Sequence, residues 1–114
     1  MFSTLLGGTV SRVPGAIAAI FLDHEGETID YAADGVTRHD ARIFGAYLGI
    51  FLARAARAVD SSPARMKIAW KHLTAIAIPL RDGYYLVLLL RKPYVEALAL
   101  RELEKASHEL AKEL

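Results

Sequence analysis

The longest helix predicted from this sequence, residues 41–59, carries more apolar surface than a single packing face can use. The segment reads ARIFGAYLGIFLARAARAV, contains no proline and is followed by a turn cluster at residues 60–63. At 3.6 residues per turn, large apolar residues collect on one side of the helix. They are Phe44, Leu48, Phe51 and Leu52, extended by Ala55 and Val59. We expect this side to face the protein's own sheet.

A second line on the same helix is almost bare of side chains. Small residues recur there at four-residue spacing, at Ala41, Gly45, Gly49 and Ala53, which we call the small-residue stripe. An interior glycine costs a helix about 1 kcal/mol relative to alanine, so two of them indicate a close neighbour. Either the helix sits tightly on its own sheet, or the stripe receives another helix, a second subunit or a partner protein. We favour the second interpretation.

Small residues at this spacing also occur where transmembrane helices pair. Only the eleven residues 43–53 are free of charge, however, whereas a helix needs about 20 apolar residues to span a bilayer. No membrane insertion is therefore expected. The N-terminal segment lacks the basic start and long apolar core of a signal peptide, so the cytoplasm is the predicted location.

The composition excludes several classes of protein. The chain has 114 residues, which predicts a single domain spanning residues 1–114. Hydrophobic residues make up 54% of it, a high share for a free monomer, so we expect an oligomer. The net charge of +1 supplies no field that would draw the protein onto nucleic acid. Because there is no cysteine, a disulfide, a thiolate nucleophile and a cysteine-based zinc site are all excluded.

Five strand candidates and two further helices surround the long helix. The strands are residues 15–23, 27–34, 64–71, 74–80 and 84–91, and the helices are residues 3–12 and 93–114. The first, fourth and fifth strands are apolar on both faces, whereas the second and third alternate polar and apolar residues as edge strands do. We therefore predict an α/β (α+β) sandwich with the order α-β-β-α-β-β-β-α. Its sheet is five-stranded, mostly antiparallel and ordered 2-1-5-4-3, with helices on both faces.

Single residues predict where these elements begin and end. Ser3 or Thr4 can cap a short, loosely held first helix of one or two turns. Thr37 or Asp40 can cap the long helix, and Gly26 suits a left-handed turn position between the first two strands. The remaining signals are a tight hairpin at residues 81–83, Pro79 at a strand end and Pro93 at the first position of the last helix.

No set of residues matches the spacing of a catalytic, cofactor or metal site. The histidines are scattered over a turn, a loop, a strand end and a helix, at His24, His39, His72 and His108. The acidic turn at Asp23, Glu25 and Glu27 lacks the ligand spacing of a calcium loop. Six Lys or Arg residues lie between residues 65 and 92 against one acid. Charges on an edge strand more often block unwanted pairing than bind nucleic acid, so no nucleic-acid partner is predicted.

Three segments, in this order, carry a resemblance to a known family. They are RVPGAIAAIFLDHEGETI (residues 12–29), DARIFGAYLGIFLARAARA (residues 40–58) and TAIAIPLRDGYYLVLLL (residues 74–90). The sequence resembles the roadblock family of dynein light chain type, and within it the bacterial MglB-like branch. The resemblance covers most of the chain. One departure is the run Lys71, His72 and Leu73, which stands where relatives often carry glycine and implies a wider turn between the third and fourth strands.

The resemblance implies a non-enzymatic dimer in which the two long helices lie side by side and edge strands join the two sheets. It also implies a platform on the paired helices that binds a small Ras-like GTPase and promotes GTP hydrolysis. Carried onto this chain, the partner-binding residues are Ala41, Gly45, Gly49, Ala53, Arg42 and Arg54. The dimer contacts are Ile43, Tyr47, Ile50, Met66, Ile68 and Trp70. An arginine finger supplied in trans from Arg42, Arg54 or Arg57 would be a sharper version of this function.

Two other functions are compatible with the sequence. The dimer could be a structural adaptor that docks onto a larger complex without activating a GTPase, as the dynein light chain branch does. It could also be a small-molecule sensor, which would need a cavity on the order of a hundred Å³ or more. The sequence leaves open whether the dimer forms with a second copy or with a paralogue.

Overall fold

The computed structural model describes residues 2–58 and 65–114, with the side chain of Ala56 excepted. The predicted helix end at Val59, the turn cluster at residues 60–63 and the strand start at Ala64 lie outside the described residues. The helices are α1 (Ser3–Arg12), α2 (Arg38–Ala58) and α3 (Glu96–Ala111). The strands are β1 (Ala16–Leu22), β2 (Thr28–Ala33), β3 (Met66–Ala69), β4 (Leu73–Pro79) and β5 (Tyr85–Arg91).

The five strands form one sheet in the order β2-β1-β5-β4-β3, and every neighbouring pair is antiparallel. This confirms the predicted fold class and strand order. The three inner strands have runs of buried residues along both faces, whereas β2 and β3 are only half-buried. The strands with apolar residues on both faces are therefore the inner strands of this sheet. Such strands need to be covered on both faces, and the helices do so there.

The sheet separates two cores. On one face, α1 and α3 pack against alternate residues of the inner strands, and the buried helical side chains there are Leu6, Ala99, Leu103, Ala106 and Leu110. On the other face α2 contributes Ala41, Leu48 and Leu52, which pack on Ile20, Leu22, Val87 and Leu89. The long helix packs chiefly on β1 and β2. It therefore lies over one half of its face of the sheet and leaves the half near β3 less covered.

The first and last helices differ from the sequence prediction. The α1 helix is ten residues long and its N-cap is Phe2 without a side-chain cap, so the prediction that Ser3 or Thr4 caps it is wrong. The helix is also anchored rather than loosely held, because Leu6 and Thr9 are fully buried. The α3 helix begins at Glu96 and not at Pro93, since the preceding residue Val95 has an extended backbone.

The turns agree closely with the sequence. The Thr37 hydroxyl accepts the backbone N–H of Asp40 at 3.1 Å, so Thr37 caps α2 as one of the two predicted residues. Gly26 has φ +84°, the predicted left-handed conformation. Next to it, Asp23 Oδ1 accepts the N–H groups of Glu25 and Glu27, both at 2.9 Å, so that this carboxylate shapes the acidic turn.

One carboxylate is buried between α1 and α3. Glu102 is 3% exposed, and its Oε2 accepts a hydrogen bond from Arg12 Nε at 3.3 Å and lies 3.4 Å from Lys105 Nζ. Burial on its own would raise the pKa of this carboxyl. The hydrogen bonds and charges of Arg12 and Lys105 outweigh that effect and hold the pKa below its ordinary value. The group therefore stays ionised and ties the end of α1 to α3.

Candidate partner-binding surface on the long helix

The small-residue stripe of α2 faces the protein's own β1–β2 hairpin. Ala41 and Gly45 are buried and Gly49 is half-buried. A Cβ added at Gly45 would lie 2.6 Å from Thr28 Oγ1. A Cβ added at Gly49 would overlap the Cα of Gly26, and one added at Gly26 would lie 2.8 Å from the Cα of Gly49. The backbones of α2 and of the hairpin therefore approach each other so closely that there is no room for a Cβ atom at Gly26 or at Gly49.

This packing corrects the predicted partner platform. The prediction that Ala41, Gly45 and Gly49 form an open platform is wrong, because Ala41 is buried in the core under α2 and the hairpin packs against Gly45 and Gly49. The alternative interpretation, in which the helix sits tightly on its own sheet, accounts for these three residues. Ala53, the last residue of the stripe, is exposed.

The large apolar residues of α2 also divide differently from the prediction. Leu48 and Leu52 are buried against the sheet as expected, and Phe44 is half-buried. Phe51, which was predicted to face the sheet, is 52% exposed. The reason is that Phe51 lies about 100° around the helix from Leu52, so that both cannot point into the same layer.

An apolar groove of about 910 Å³ runs between α2 and the β3–β4 end of the sheet. We call it the α2–β3 groove. Its walls are Ile43, Phe44, Tyr47, Leu48 and Phe51 of α2, and Ile68, Trp70, Lys71, His72 and Leu73 opposite. The rings of Phe44 and Trp70 meet edge to face with centroids 5.4 Å apart. Tyr47 is 72% exposed and Trp70 is 44% exposed, so water covers aromatic surface that a second molecule could bury.

Among the described strands, β3 pairs only with β4, so its outer backbone edge faces away from the sheet beside this groove. The N–H of Trp70 donates to the carbonyl of Leu73 at 2.7 Å, and the register then pairs Ile68 with Ala75. In an antiparallel ladder the residues between such hydrogen-bonded pairs point their N–H and C=O groups the other way. Lys67 and Ala69 therefore present their backbone groups outward from the sheet.

The opposite edge of the sheet is partly closed by the protein itself. In β2 the register turns the backbone groups of Tyr31 and Ala33 outward. Asp30 Oδ1 accepts the N–H of Tyr31, and Asp30 Oδ2 accepts the N–H of Phe2, both at 2.8 Å. Burial raises the pKa of Asp30, but these backbone hydrogen bonds contribute to a net lowering. Of the two edges, β3 is thus the better template for another strand.

The basic residues of β3 are engaged within the chain. Arg65 Nη2 lies 2.8 Å from Glu104 Oε1, and Lys67 pairs with Glu96, so both cations contact α3. These contacts give the cations a structural role and reduce the basic patch that residues 65–92 suggested. They also hold the edge strand against α3 on the side of the sheet away from the groove.

The predicted dimer contacts border two different clefts. Ile43 and Tyr47 line the α2–β3 groove together with Ile68 and Trp70, while Met66 is half-buried beside them. Ile50, in contrast, lines a separate cleft of about 370 Å³ beside the β1–β2 turn. That cleft also contains Glu25, Glu27, Arg42 and Ala46. Ile43 and Ile50 are seven residues apart and only about 20° apart around the helix, so they lie side by side on its crest between the two clefts.

We call the exposed crest of α2 the α2 ridge and define it by Arg42, Ile50, Arg54 and Arg57. All four residues are exposed. Within the described residues, none of the three arginines lies within salt-bridge distance of a carboxylate. The whole helix carries four arginines against one aspartate, a formal charge of +3 with histidine neutral, whereas the chain has only +1.

The structure shows no cofactor-like arrangement on either surface. Among residues 2–58 and 65–114, no three His, Asp or Glu side chains are grouped closely enough to hold a metal ion. In the same part of the chain, none of the helices combines the length and the apolar content that crossing a membrane requires. What this side of the molecule offers is an apolar groove, an open strand edge and a cationic ridge.

Comparison with known proteins identifies the architecture. No protein-family model matches the sequence, and no curated protein matches it. Among solved structures, a Roadblock/LC7 domain from Streptomyces avermitilis superposes with a TM-score of 0.86 at 16% identity, covering 97% of this chain and 95% of the other. Myxococcus xanthus MglB gives 0.83 at 15% identity, covering 97% and 92%. An MglB described as having a tetrameric arrangement gives 0.82 at 13% identity, covering 96% and 84%. The chain has the Roadblock/LC7 fold.

The likeness to MglB confirms, at the level of fold, the resemblance that the three sequence segments indicated. Six residues line the groove without having been predicted as surface contacts, namely Phe44, Leu48, Phe51, Lys71, His72 and Leu73. A signal for Phe51 was present in the sequence. The predicted apolar side of α2 has four large residues, whereas the two glycines indicate that the helix packs close to its neighbour. At least one of the large side chains therefore had to point into solvent.

Proposed function

We propose that this chain is a roadblock-family protein that dimerises through the α2–β3 groove and the open β3 edge. We further propose that the paired α2 helices bind a small Ras-like GTPase and stimulate its GTP hydrolysis. The observation that carries the proposal is the continuity of exposed aromatic surface with an unpaired strand edge. Each feature alone is a hazard for a monomer, and one symmetric contact covers both.

The geometry of the β3 edge supports a two-fold contact. Two copies of β3 can pair antiparallel through the outward backbone groups of Lys67 and Ala69, extending the sheet across the dimer. The grooves beside the two edges then face each other. Burying a large apolar side chain completely is worth about 1.5–3 kcal/mol. Tyr47, Phe51 and Trp70 start between 44% and 72% exposed, so each contributes roughly half of that amount.

The comparisons support self-association without assigning it to this chain. An MglB of the same fold has a tetrameric arrangement, so the fold is compatible with homotypic contacts. The resemblance of the sequence to the MglB-like branch is the basis for a GTPase as the partner. The absence of a catalytic site of its own and a cytoplasmic location remain predictions.

The position of the platform differs from the one that the sequence suggested. In the proposed dimer the second copy occupies the groove, and the hairpin already packs against the glycines of the stripe. The ridge is then the part of α2 that remains for a third molecule. Ala53 and the predicted partner residues Arg42 and Arg54 are exposed on or beside it. The proposed docking surface therefore consists of two symmetry-related ridges instead of two glycine stripes.

The dimer is tested by charged substitutions in the groove. We expect Tyr47→Glu combined with Phe51→Glu to convert a dimer into a 12.5 kDa monomer, measured by size exclusion with light scattering. Both side chains are more than half exposed, so the circular dichroism spectrum should be unchanged. Val95→Glu is the matched control, because Val95 is 63% exposed outside the groove and should leave the dimer intact. A monomeric wild type, or a double variant that stays dimeric, would refute this interface.

The GTPase function is tested with purified Ras-like GTPases from the same genome, loaded with GTP or a non-hydrolysable analogue. Binding together with faster hydrolysis would support a GTPase regulator. Binding without faster hydrolysis would instead support the adaptor function. If no GTPase binds the wild-type dimer, the proposed function is refuted. The sensor function would require a small molecule in the groove, which is open to solvent along its length.

A further inference from the structure

We infer that the partner bound by the α2 ridge is a protein that presents an acidic surface around an apolar patch. This inference rests on the proposed dimer platform and specifies the chemistry of its partner. It follows from the charge, the exposure and the surroundings of the ridge.

The ridge combines one apolar anchor with three arginines that form no salt bridge within residues 2–58 and 65–114. Ile50 is 54% exposed at its centre, and Arg42, Arg54 and Arg57 are exposed around it. Within the described residues none of these arginines has an acidic partner. A guanidinium group has five donors in a planar fork and binds carboxylates in bidentate fashion, so three unpaired arginines beside an isoleucine match carboxylates around an apolar residue.

The charge of the ridge is not a general property of the surface. On the other face of the sheet, α3 carries four glutamates against one arginine and one lysine, a formal charge of −2. Acids of α3 also bind cations from elsewhere in the chain: Glu104 binds Arg65, and Glu102 binds Arg12. Of these two helices, α2 is thus the one whose positive charge is not paired within the described residues, and it acts on whatever approaches the ridge.

Dimerisation would increase this concentration. Pairing α2 with its symmetry mate places two helices of +3 side by side, so like charges oppose the free dimer and an acidic partner relieves the repulsion. Salt therefore has opposite effects on the two equilibria. Screening should tighten the free dimer, whereas it should weaken the complex with the partner.

The surroundings of the ridge favour a protein over an anionic lipid surface. The cleft that contains Arg42 and Ile50 also contains Glu25 and Glu27 of the β1–β2 turn. Both glutamates are exposed, so a flat anionic membrane that reached Arg42 would also meet two carboxylates. A folded partner can place its acids over the arginines and leave the region beside the glutamates neutral or basic.

The experiment compares two triple variants that remove the same charge. The test variant is Arg42→Gln, Arg54→Gln and Arg57→Gln, and the control is Arg91→Gln, Lys92→Gln and Arg101→Gln, whose residues are exposed outside α2. Each is titrated with the analogue-loaded GTPase at 50 and 300 mM NaCl. For wild type and control we expect affinity to fall about tenfold with salt. The test variant should bind about tenfold or more weakly at 50 mM and respond little to salt.

Further measurements separate this inference from the proposed function. Poly-L-glutamate serves as a probe independent of the GTPase, and vesicles of phosphatidylcholine with 30% phosphatidylserine report lipid binding. If no GTPase binds, the proposed function fails, and the inference is then judged by whether poly-L-glutamate binding is lost in the test variant alone. Equal binding by both triple variants overturns the inference. Vesicle binding that needs the three ridge arginines, without poly-L-glutamate binding, overturns it in favour of lipid.

The salt dependence of the free dimer gives an independent result. We expect its dissociation constant to fall between 50 and 300 mM NaCl in wild type, and to change less in the test variant, because that variant removes most of the repulsion. A dimer that weakens with salt in the same way in both proteins would contradict the charge argument. Circular dichroism of both variants should match wild type, since all six substituted residues are exposed.

Discussion

The contact between Gly49 of α2 and Gly26 of the hairpin makes a sharp prediction about stability. In an unconstrained helix, Gly→Ala stabilises by about 1 kcal/mol, because alanine has the higher helix propensity. At Gly49 the new Cβ would overlap the Cα of Gly26, and it would also lie 3.3 Å from the carbonyl carbon and oxygen of that residue. These are backbone atoms that no rotamer change can move, so the helix and the hairpin must separate.

The expected magnitude follows from two opposing terms. Forcing an extra carbon into packed structure costs about 1–3 kcal/mol, and the upper part of that range applies where backbone has to shift. Subtracting the propensity gain leaves a net loss of roughly 1–2 kcal/mol for Gly49→Ala. That is a substantial part of the 5–15 kcal/mol that typically stabilises a domain, and it corresponds to a drop in Tm of about 4 °C or more.

Gly7→Ala is the matched control. Gly7 also lies inside a helix, α1, but a Cβ there would lie 3.9 Å from Ala32 Cβ, an ordinary van der Waals contact. This variant should gain up to about 1 kcal/mol, so the two Gly→Ala changes should have opposite signs. The assay is urea unfolding at one fixed protein concentration, because a dimer's apparent stability depends on concentration. If Gly49→Ala is as stable as Gly7→Ala, the close packing of α2 on the hairpin is refuted.

Two further predictions concern the buried carboxylate and the groove. Because the pKa of Glu102 is lowered in the folded protein, its stabilising contribution should be complete above its ordinary value of 4.5 and disappear as the pH falls through the folded pKa. Glu102→Gln should therefore destabilise the protein at pH 7, and in urea unfolding this effect should shrink progressively as the pH is lowered below 4.5; an effect independent of pH would contradict the pairing. Trp70 is the only tryptophan and lines the groove, so its emission should shift to the blue as rising protein concentration drives dimerisation. The Tyr47→Glu, Phe51→Glu variant should show no shift, and a shift in it would place the contact elsewhere.

The sheet could be predicted from sequence because burial on two faces leaves a distinct pattern. A strand such as β5, with five consecutive buried residues, cannot lie at an edge without exposing one apolar face. In β3, polar and apolar residues alternate, so only one orientation of the strand places Met66 and Ile68 against the core and leaves Lys67 exposed. These constraints act within each strand, so they can be determined without knowing the partner strands.

The surfaces of α2 could not be assigned in the same way, because the phase of a helix depends on what it packs against. Residues at strict four-residue spacing drift by about 40° per step around an α-helix. Over the three steps from Ala41 to Ala53 the drift is about 120°, so the first residue is buried and the last is exposed. Gly45 lies only about 20° from Leu52, and the two belong to one packing face. The stripe was therefore not a separate side of the helix.

The position of α2 connects this packing to the groove. Because Gly49 meets Gly26 directly, the helix lies close to the hairpin and over β1 and β2, and it cannot also cover the sheet near β3. Its bulky residues on the β3 side, Tyr47 and Phe51, are then left more than half exposed by the residues that the structure describes. A larger residue at either glycine would push the helix outward and change the width of the groove. The two glycines thus influence the width of a groove that neither of them lines.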